Sequence, residues 1–125
     1  MSQKPENPYE ALEKIFHEPN RLAIMSALCA ADDGLSFREL KEQCELTDGN
    51  LNRHLKVLQE AKAVRVKKSF VDQKPRTTVW LSKSGLARFS EYLGALDDVL
   101  KKAKNAMPAK EKKKLPLPLG KTVRA

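Results

Sequence analysis

The sequence predicts a mainly α-helical domain carrying one small β-hairpin, an α+β fold. Three observations predict it. Apolar residues recur at helical spacing in successive stretches up to Ala61. After Ala63 the period changes from 3.6 to 2, in two runs separated by a polar, proline-containing segment. After Ser82 a long helical pattern resumes.

A first helix is expected from Pro8 to Phe16, where Leu12, Ile15 and Phe16 form a narrow apolar face. His17-Glu-Pro-Asn20 interrupts it, and Pro19 suits the first turn of a second helix, where a missing N–H costs nothing. That helix carries Leu22, Ile24, Met25, Leu28 and Cys29 and stops at Asp32-Asp33-Gly34. Leu35-Ser36-Phe37 reads as a short strand leading into a third helix, with Ser36 and Glu39 at the spacing of a reciprocal cap. This helix ends near Glu45, and Thr47 is a good cap for a fourth, which runs to Ala61. Leu51, Leu55 and Leu58 share one face of it, and burying each is worth roughly 1.5–3 kcal/mol, enough to fix which side points inward.

Val64 and Val66 alternate with Arg65 and Lys67, and Thr77, Val79 and Leu81 with Thr78 and Trp80. Between them, Asp72-Gln-Lys-Pro-Arg76 is expected to be the basic tip of a hairpin spanning 64–82. Trp80 lies opposite Val79 and Leu81 and is expected to pack against a helix or a partner. Ser82 caps a last helix, 83–104, in which Leu86, Phe89, Leu93, Leu96, Leu100 and Ala103 are spaced as a coiled-coil seam. Residues 1–7, and 105–125 with their three prolines and Lys112-Lys-Lys114, are expected to be disordered, leaving one domain over 8–104.

The 125 residues carry a net charge of +8. Residues 1–48 hold 5 Lys/Arg against 10 Asp/Glu, whereas residues 49–90 hold 10 against 2. A basic segment inside the folded part is the electrostatic footprint of a polyanion partner. No apolar run is long enough to span a membrane, and Met1–Pro8 has no apolar signal region, so a cytoplasmic location is expected. The two cysteines, Cys29 and Cys44, are expected to be reduced and structural. His17, His54, Cys29 and Cys44 lack the spacing of a metal site, so no metal or other cofactor is expected. His54, at the edge of the leucine stripe, is expected to be packed and hydrogen-bonded. No nucleophile–base pair, phosphate-cradling glycine loop or paired carboxylate in an apolar setting is present, which argues against an enzyme.

Two short helices joined by a tight turn and followed by a basic hairpin is the order of a winged helix-turn-helix. The helix over 47–61 is the candidate reader of a DNA major groove. With its leucines inward, Gly49, Arg53, Lys56 and Glu60 point outward, flanked by Asn50 and Asn52. Asparagine pairs with adenine and arginine with guanine, so Asn50, Asn52 and Arg53 are assigned to bases. Lys56 is assigned to phosphate, as is the helix start at Thr47, although the charge of Asp48 opposes a phosphate there. In the hairpin, Lys67, Lys68, Lys74 and Arg76 are expected on the DNA backbone or in the minor groove.

The stretch Asn50-Leu-Asn-Arg-His-Leu-Lys-Val-Leu-Gln-Glu-Ala-Lys-Ala-Val64 resembles the recognition helix of MarR-type and ArsR-type winged-helix repressors. Pro19-Asn-Arg-Leu-Ala-Ile24 resembles their second helix. Pro75-Arg-Thr-Thr-Val-Trp-Leu-Ser-Lys-Ser-Gly85 resembles the second wing strand and the following helix of the MarR type. The resemblance covers residues 8–100. It implies a repressor that binds double-stranded DNA at a pseudo-palindromic operator as a homodimer and responds to a small-molecule effector. The dimer contacts expected are Leu12, Phe16, Phe89, Leu93, Leu96 and Leu100. The paired cysteines of an ArsR metal box are missing, since only Cys44 occupies that helix. The rival readings are a winged helix used for protein–protein interaction and a non-specific architectural DNA binder aided by the lysine-rich tail.

Overall fold

Side-chain caps set where each helix begins in the computed structural model, which describes residues 13–108. Pro19 opens α1 (Pro19–Cys29), and the Glu18 carboxylate accepts from the Arg21 amide at 2.8 Å. A two-residue strand, β1 (Leu35–Ser36), runs into α2 (Phe37–Cys44) through the reciprocal cap of Ser36 and Glu39. The Thr47 hydroxyl accepts from the Asn50 amide and starts α3 (Asp48–Glu60), and Ser82 does the same for α4 (Lys83–Ala106) through Gly85. Between them lies the hairpin of β2 (Val64–Val71) and β3 (Lys74–Leu81).

The helix ends are equally local. Glu45 takes a left-handed conformation (φ 54°), and the Leu46 amide reaches back to the Lys41 carbonyl at 3.0 Å. Lys62 repeats the device after α3 (φ 61°), with the Ala63 amide on the Leu58 carbonyl at 2.9 Å. Both are Schellman closures, which satisfy the last carbonyls while turning the chain sharply. One therefore delivers α3 directly after α2, and the other delivers the hairpin directly after α3.

The expected helix from Pro8 to Phe16 is not borne out where it is described. Glu13 to His17 form a turn, with the Phe16 and His17 amides on the Glu13 carbonyl, and Pro8 to Leu12 lie outside the described residues. The hairpin tip is also shorter than expected. Only Asp72 (φ 52°) and Gln73 (φ 66°) turn, both left-handed, as in a two-residue hairpin whose twist matches its strands. Lys74, Pro75 and Arg76 belong to β3 and pair with Val71, Phe70 and Ser69. Antiparallel pairs alternate between bonded and non-bonded, so Pro75, one step past the turn pair, needs no N–H toward β2. The sheet order is β1-β3-β2, and β1 meets β3 only at Val79 and Thr78.

The core joins Ile24, Met25 and Leu28 of α1 to Leu40, Leu51, Leu55 and Leu58, with Val64 and Val79 from the sheet. Phe16, Phe89 and Tyr92 close it. Phe16 meets Phe89 edge-on with centroids 5.4 Å apart, and Phe89 stacks on Tyr92 at 5.7 Å. This corrects two of the expected dimer contacts. Phe16 (0% exposed) and Phe89 (1%) are enclosed by their own chain and have no surface left for a partner. Leu96 is half-buried against the same core. Leu86, Leu93 and Leu100 form the outward half of the seam, each 43–50% exposed. Arg88, on α4, reaches the Ala61 carbonyl at the end of α3 (2.7 Å), the Glu13 carboxylate (2.8 Å) and the Phe16 ring.

Trp80 lies against the turn between α1 and β1. It is half-buried over the turn at Gly34 (φ 78°), where a Cβ would come within 2.7 Å of its ring. Cys44 is half-buried as expected, but Cys29 is exposed at the end of α1. Burial pushes the Cys44 thiol up from its ordinary range, and partial cover of the sulfur does the same at Cys29 although the residue is exposed.

Candidate nucleic-acid interface

On α3 the periodicity separates two faces. Leu51, His54, Leu55 and Leu58 are buried, while Gly49, Asn50, Asn52, Arg53, Lys56, Gln59 and Glu60 are exposed. Arg53 Nη2 donates to Asn50 Oδ1 at 3.2 Å, one helical turn away on the exposed face. At the start of the helix the Lys41 ammonium sits 2.9 Å from Asp48 Oδ1. It offsets the carboxylate that was expected to repel a phosphate near Thr47.

The structure brings some of the expected residues together and separates others. Asn52, Lys56 and Gln59 of α3 face Val66, Lys68 and Thr77 of the hairpin across an open groove of about 600 Å³, floored by Leu55 and Phe37. Lys68 thus shares a groove with α3, whereas Lys67 and Arg65, of opposite parity, stand on the other face of the ribbon. Lys74 and Arg76 line a second groove of about 510 Å³ with Arg38, Phe37 and Pro75. Arg76 also lies 3.9 Å from Glu39. The Ser36 amide and hydroxyl hold that carboxyl below its ordinary range, and Arg76 adds to the effect. Thr47, Asn50 and Arg53 line neither groove and stand at the exposed tip of α3.

Sequence reasoning missed Arg38, Gln59 and Thr77. Arg38 lies in a stretch whose net charge is negative, which hid it. Its exposed guanidinium lies 3.6 Å from Glu42. Gln59 could have been found as the residue one turn beyond Lys56 and two beyond Asn52.

His54 is packed and bonded as expected, at 5% exposure. Arg21 Nη1 donates to its Nδ1 at 3.1 Å, and the Asn20 amide lies 3.4 Å from Nε2. Arginine can only donate, so Nδ1 carries a lone pair and the ring is neutral. Burial pushes the imidazole below its ordinary 6.5; Glu18 opposes the shift, and Arg21 and Arg53 reinforce it. A neutral buried histidine contributes stability that is complete above its unfolded pKa and is lost as pH falls through and below it. The free energy of unfolding is therefore expected to decline below about pH 6.5. In His54→Gln, whose amide still accepts from Arg21, that decline should flatten. Urea titrations at pH 7.5, 6.5 and 5.5 check this, and equal slopes in both proteins would assign the acid sensitivity elsewhere.

Among the described residues no three His, Cys, Asp or Glu side chains gather as metal ligands, and no helix is long and apolar enough to cross a membrane.

Residues 20–100 match the model of the winged helix DNA-binding domain family. An uncharacterised protein of Methanocaldococcus jannaschii is 36% identical over 80 residues, covering 64% of this chain and 86% of its own. The solved structure of a transcriptional regulator homologue from Pyrococcus horikoshii superposes with a TM-score of 0.70 at 29% identity, over 76% of this chain and 94% of that one. A Staphylococcus aureus MepR variant bound to an oligodeoxyribonucleotide shares the fold, with a TM-score of 0.57 at 12% identity, over 86% and 80% of the two chains. The order of capped helices, the outward face of α3 and the basic hairpin beside it agree with these matches: the chain belongs to the winged-helix DNA-binding domain family and is a DNA-binding transcription regulator.

Proposed function

We propose that the chain is a sequence-specific, non-enzymatic repressor that works in the cytoplasm on double-stranded DNA. In this reading α3 enters the major groove. Asn50, Asn52 and Arg53 read base edges, Lys56 and the start of the helix at Thr47 hold phosphate, and Lys67, Lys68, Lys74 and Arg76 flank the duplex from the hairpin. The observation that carries it is the exposed face of α3, where a hydrogen-bonded Asn50–Arg53 pair stands beside a groove walled by Lys56 and Lys68. Two copies pair through Leu93 and Leu100, joined by Leu86 and the half-buried Leu96, and read an inverted repeat with half-sites about one helical turn apart. A small-molecule effector acts by changing how the two readers are held.

The test is selection from random duplex DNA by the wild type and Arg53→Ala at two salt concentrations. A short inverted repeat is expected to be enriched. Arg53→Ala is expected to relax one position per half-site at a cost of about 1–3 kcal/mol. If nothing is enriched and all binding disappears with salt, α3 reads no sequence and the architectural reading replaces this one.

A further inference from the structure

Phe70 is the most exposed large apolar side chain among the described residues, at 76%, and Val71 beside it is 46% exposed. Both stand at the end of the hairpin, immediately before the turn at Asp72 and Gln73. A single exposed aromatic ring is common on protein surfaces; its place at the tip of a basic hairpin is what singles Phe70 out.

The surroundings restrict what can cover the ring. The hairpin carries Arg65, Lys67, Lys68, Lys74 and Arg76 against a single acid, Asp72. The hairpin's cations stand on both faces of the ribbon, with Lys68 on the face of Phe70. A basic finger with an aromatic tip thus complements a polyanion that also offers flat apolar faces, which describes stacked bases between phosphate rows. By the alternation of the strand, Phe70 shares the ribbon face of Val66 and Lys68, which wall the groove beside α3. The ring is therefore turned to the side from which α3 presents its own contacts. Beyond Thr78, toward the tip, no third strand covers the ribbon among the described residues, so its outer part is a two-stranded finger. From Lys68 to Val71 that finger is about 10 Å long.

We propose that Phe70 is an apolar wedge, pressed by the hairpin into the minor groove beside the site of α3, where it partly unstacks one base step. The wedge needs a stiff support. The two-residue turn and the Phe70–Pro75 cross-strand pair provide it, and Lys68, on the same face, is the cation placed to hold a neighbouring phosphate. Unstacking is easiest at pyrimidine–purine steps, so the wedge adds sequence preference at a position that no polar side chain reads. This inference rests on the DNA-binding reading above.

The experiment uses the full chain and 30-base-pair duplexes carrying the selected repeat, with 2-aminopurine placed in turn at each flanking step. The wild type is expected to raise the 2-aminopurine fluorescence at one step per half-site. Phe70→Ala should lose that rise and bind about tenfold more weakly, with its melting temperature unchanged because the ring is exposed. Phe70→Leu should retain most of the rise, since an aliphatic side chain still wedges. Phe70→Ala with wild-type fluorescence and affinity would overturn the wedge and leave the reading by α3 intact. Loss of binding to anionic phosphatidylglycerol vesicles, with DNA binding unchanged, would reassign the tip to a lipid surface. A wild type that selects and binds no duplex would overturn both readings.

Discussion

Phe89→Ala is expected to destabilise the domain by about 3–5 kcal/mol, a large share of the 5–15 kcal/mol that holds a typical domain together. Phe89 is 1% exposed and touches two aromatic neighbours, Phe16 and Tyr92, so truncation removes apolar burial and leaves a cavity that two rings must line. Tyr92 is further fixed by His17, whose Nδ1 lies 2.9 Å from its hydroxyl, which limits how far the site can collapse. Urea unfolding at several protein concentrations checks the magnitude and its origin. The loss should be the same at every concentration, because Phe89 serves its own chain. Leu93→Ala, from a position 43% exposed, should cost little in a dilute sample and weaken association in a concentrated one. If the Phe89→Ala loss depended on concentration, the residue would belong to an interface after all.

Gly85→Ala is expected to cost about 3 kcal/mol, at the upper end of what overpacking does. A Cβ at Gly85 would run into the carbonyl of Ala63, which is backbone and has nowhere to go. That carbonyl accepts from the Ser82 amide at 3.1 Å, while the preceding Lys62 carbonyl accepts the Ser82 and Ser84 hydroxyls at 2.7 and 3.1 Å. The start of α4 is thus fastened onto the turn that ends α3, and one methyl group would prise them apart. Gly94, on the same helix, has nothing within 4 Å of its missing Cβ. Gly94→Ala should therefore stabilise by about 0.5–1 kcal/mol through helix propensity alone. Thermal melting of the two variants side by side checks the contrast; similar shifts for both would mean that α4 can slide away from Ala63.

What the sequence revealed, and what it hid, follows the range of the interactions involved. Pro19, the Ser36–Glu39 pair, Thr47 and Ser82 were legible as helix starts because a cap needs only residues within one turn. The outward face of α3 was legible because Leu51, Leu55 and Leu58 fix its rotation. The hairpin tip was misplaced because Lys74-Pro75-Arg76 has loop composition. What places Pro75 in a strand is its non-bonded register against Phe70, which no local pattern shows. On α4, the spacing of Leu86, Phe89, Leu93 and Leu96 announced a seam, but not which half of it the chain would use itself. Tyr92 decides that by pairing with Phe16, 76 residues earlier. Arg38 and the grooves were invisible for the same reason: they exist only where α2, α3 and the hairpin meet.

The guanidinium of Arg88 works as a mechanical stop. It holds the carbonyl that ends the reading helix and the carboxylate of Glu13 at once, from a position rooted on α4. A twist of α4 about its own axis cannot leave α3 behind without breaking a 2.7 Å bond. If two copies pair along α4 as proposed, the angle between their α3 helices depends on this group together with the Ser82 and Ser84 bonds to the Lys62 carbonyl. By linkage, whatever clamps those helices at the spacing of an operator must tighten the pairing of the copies by the same factor, and whatever loosens the pairing must weaken the grip on DNA.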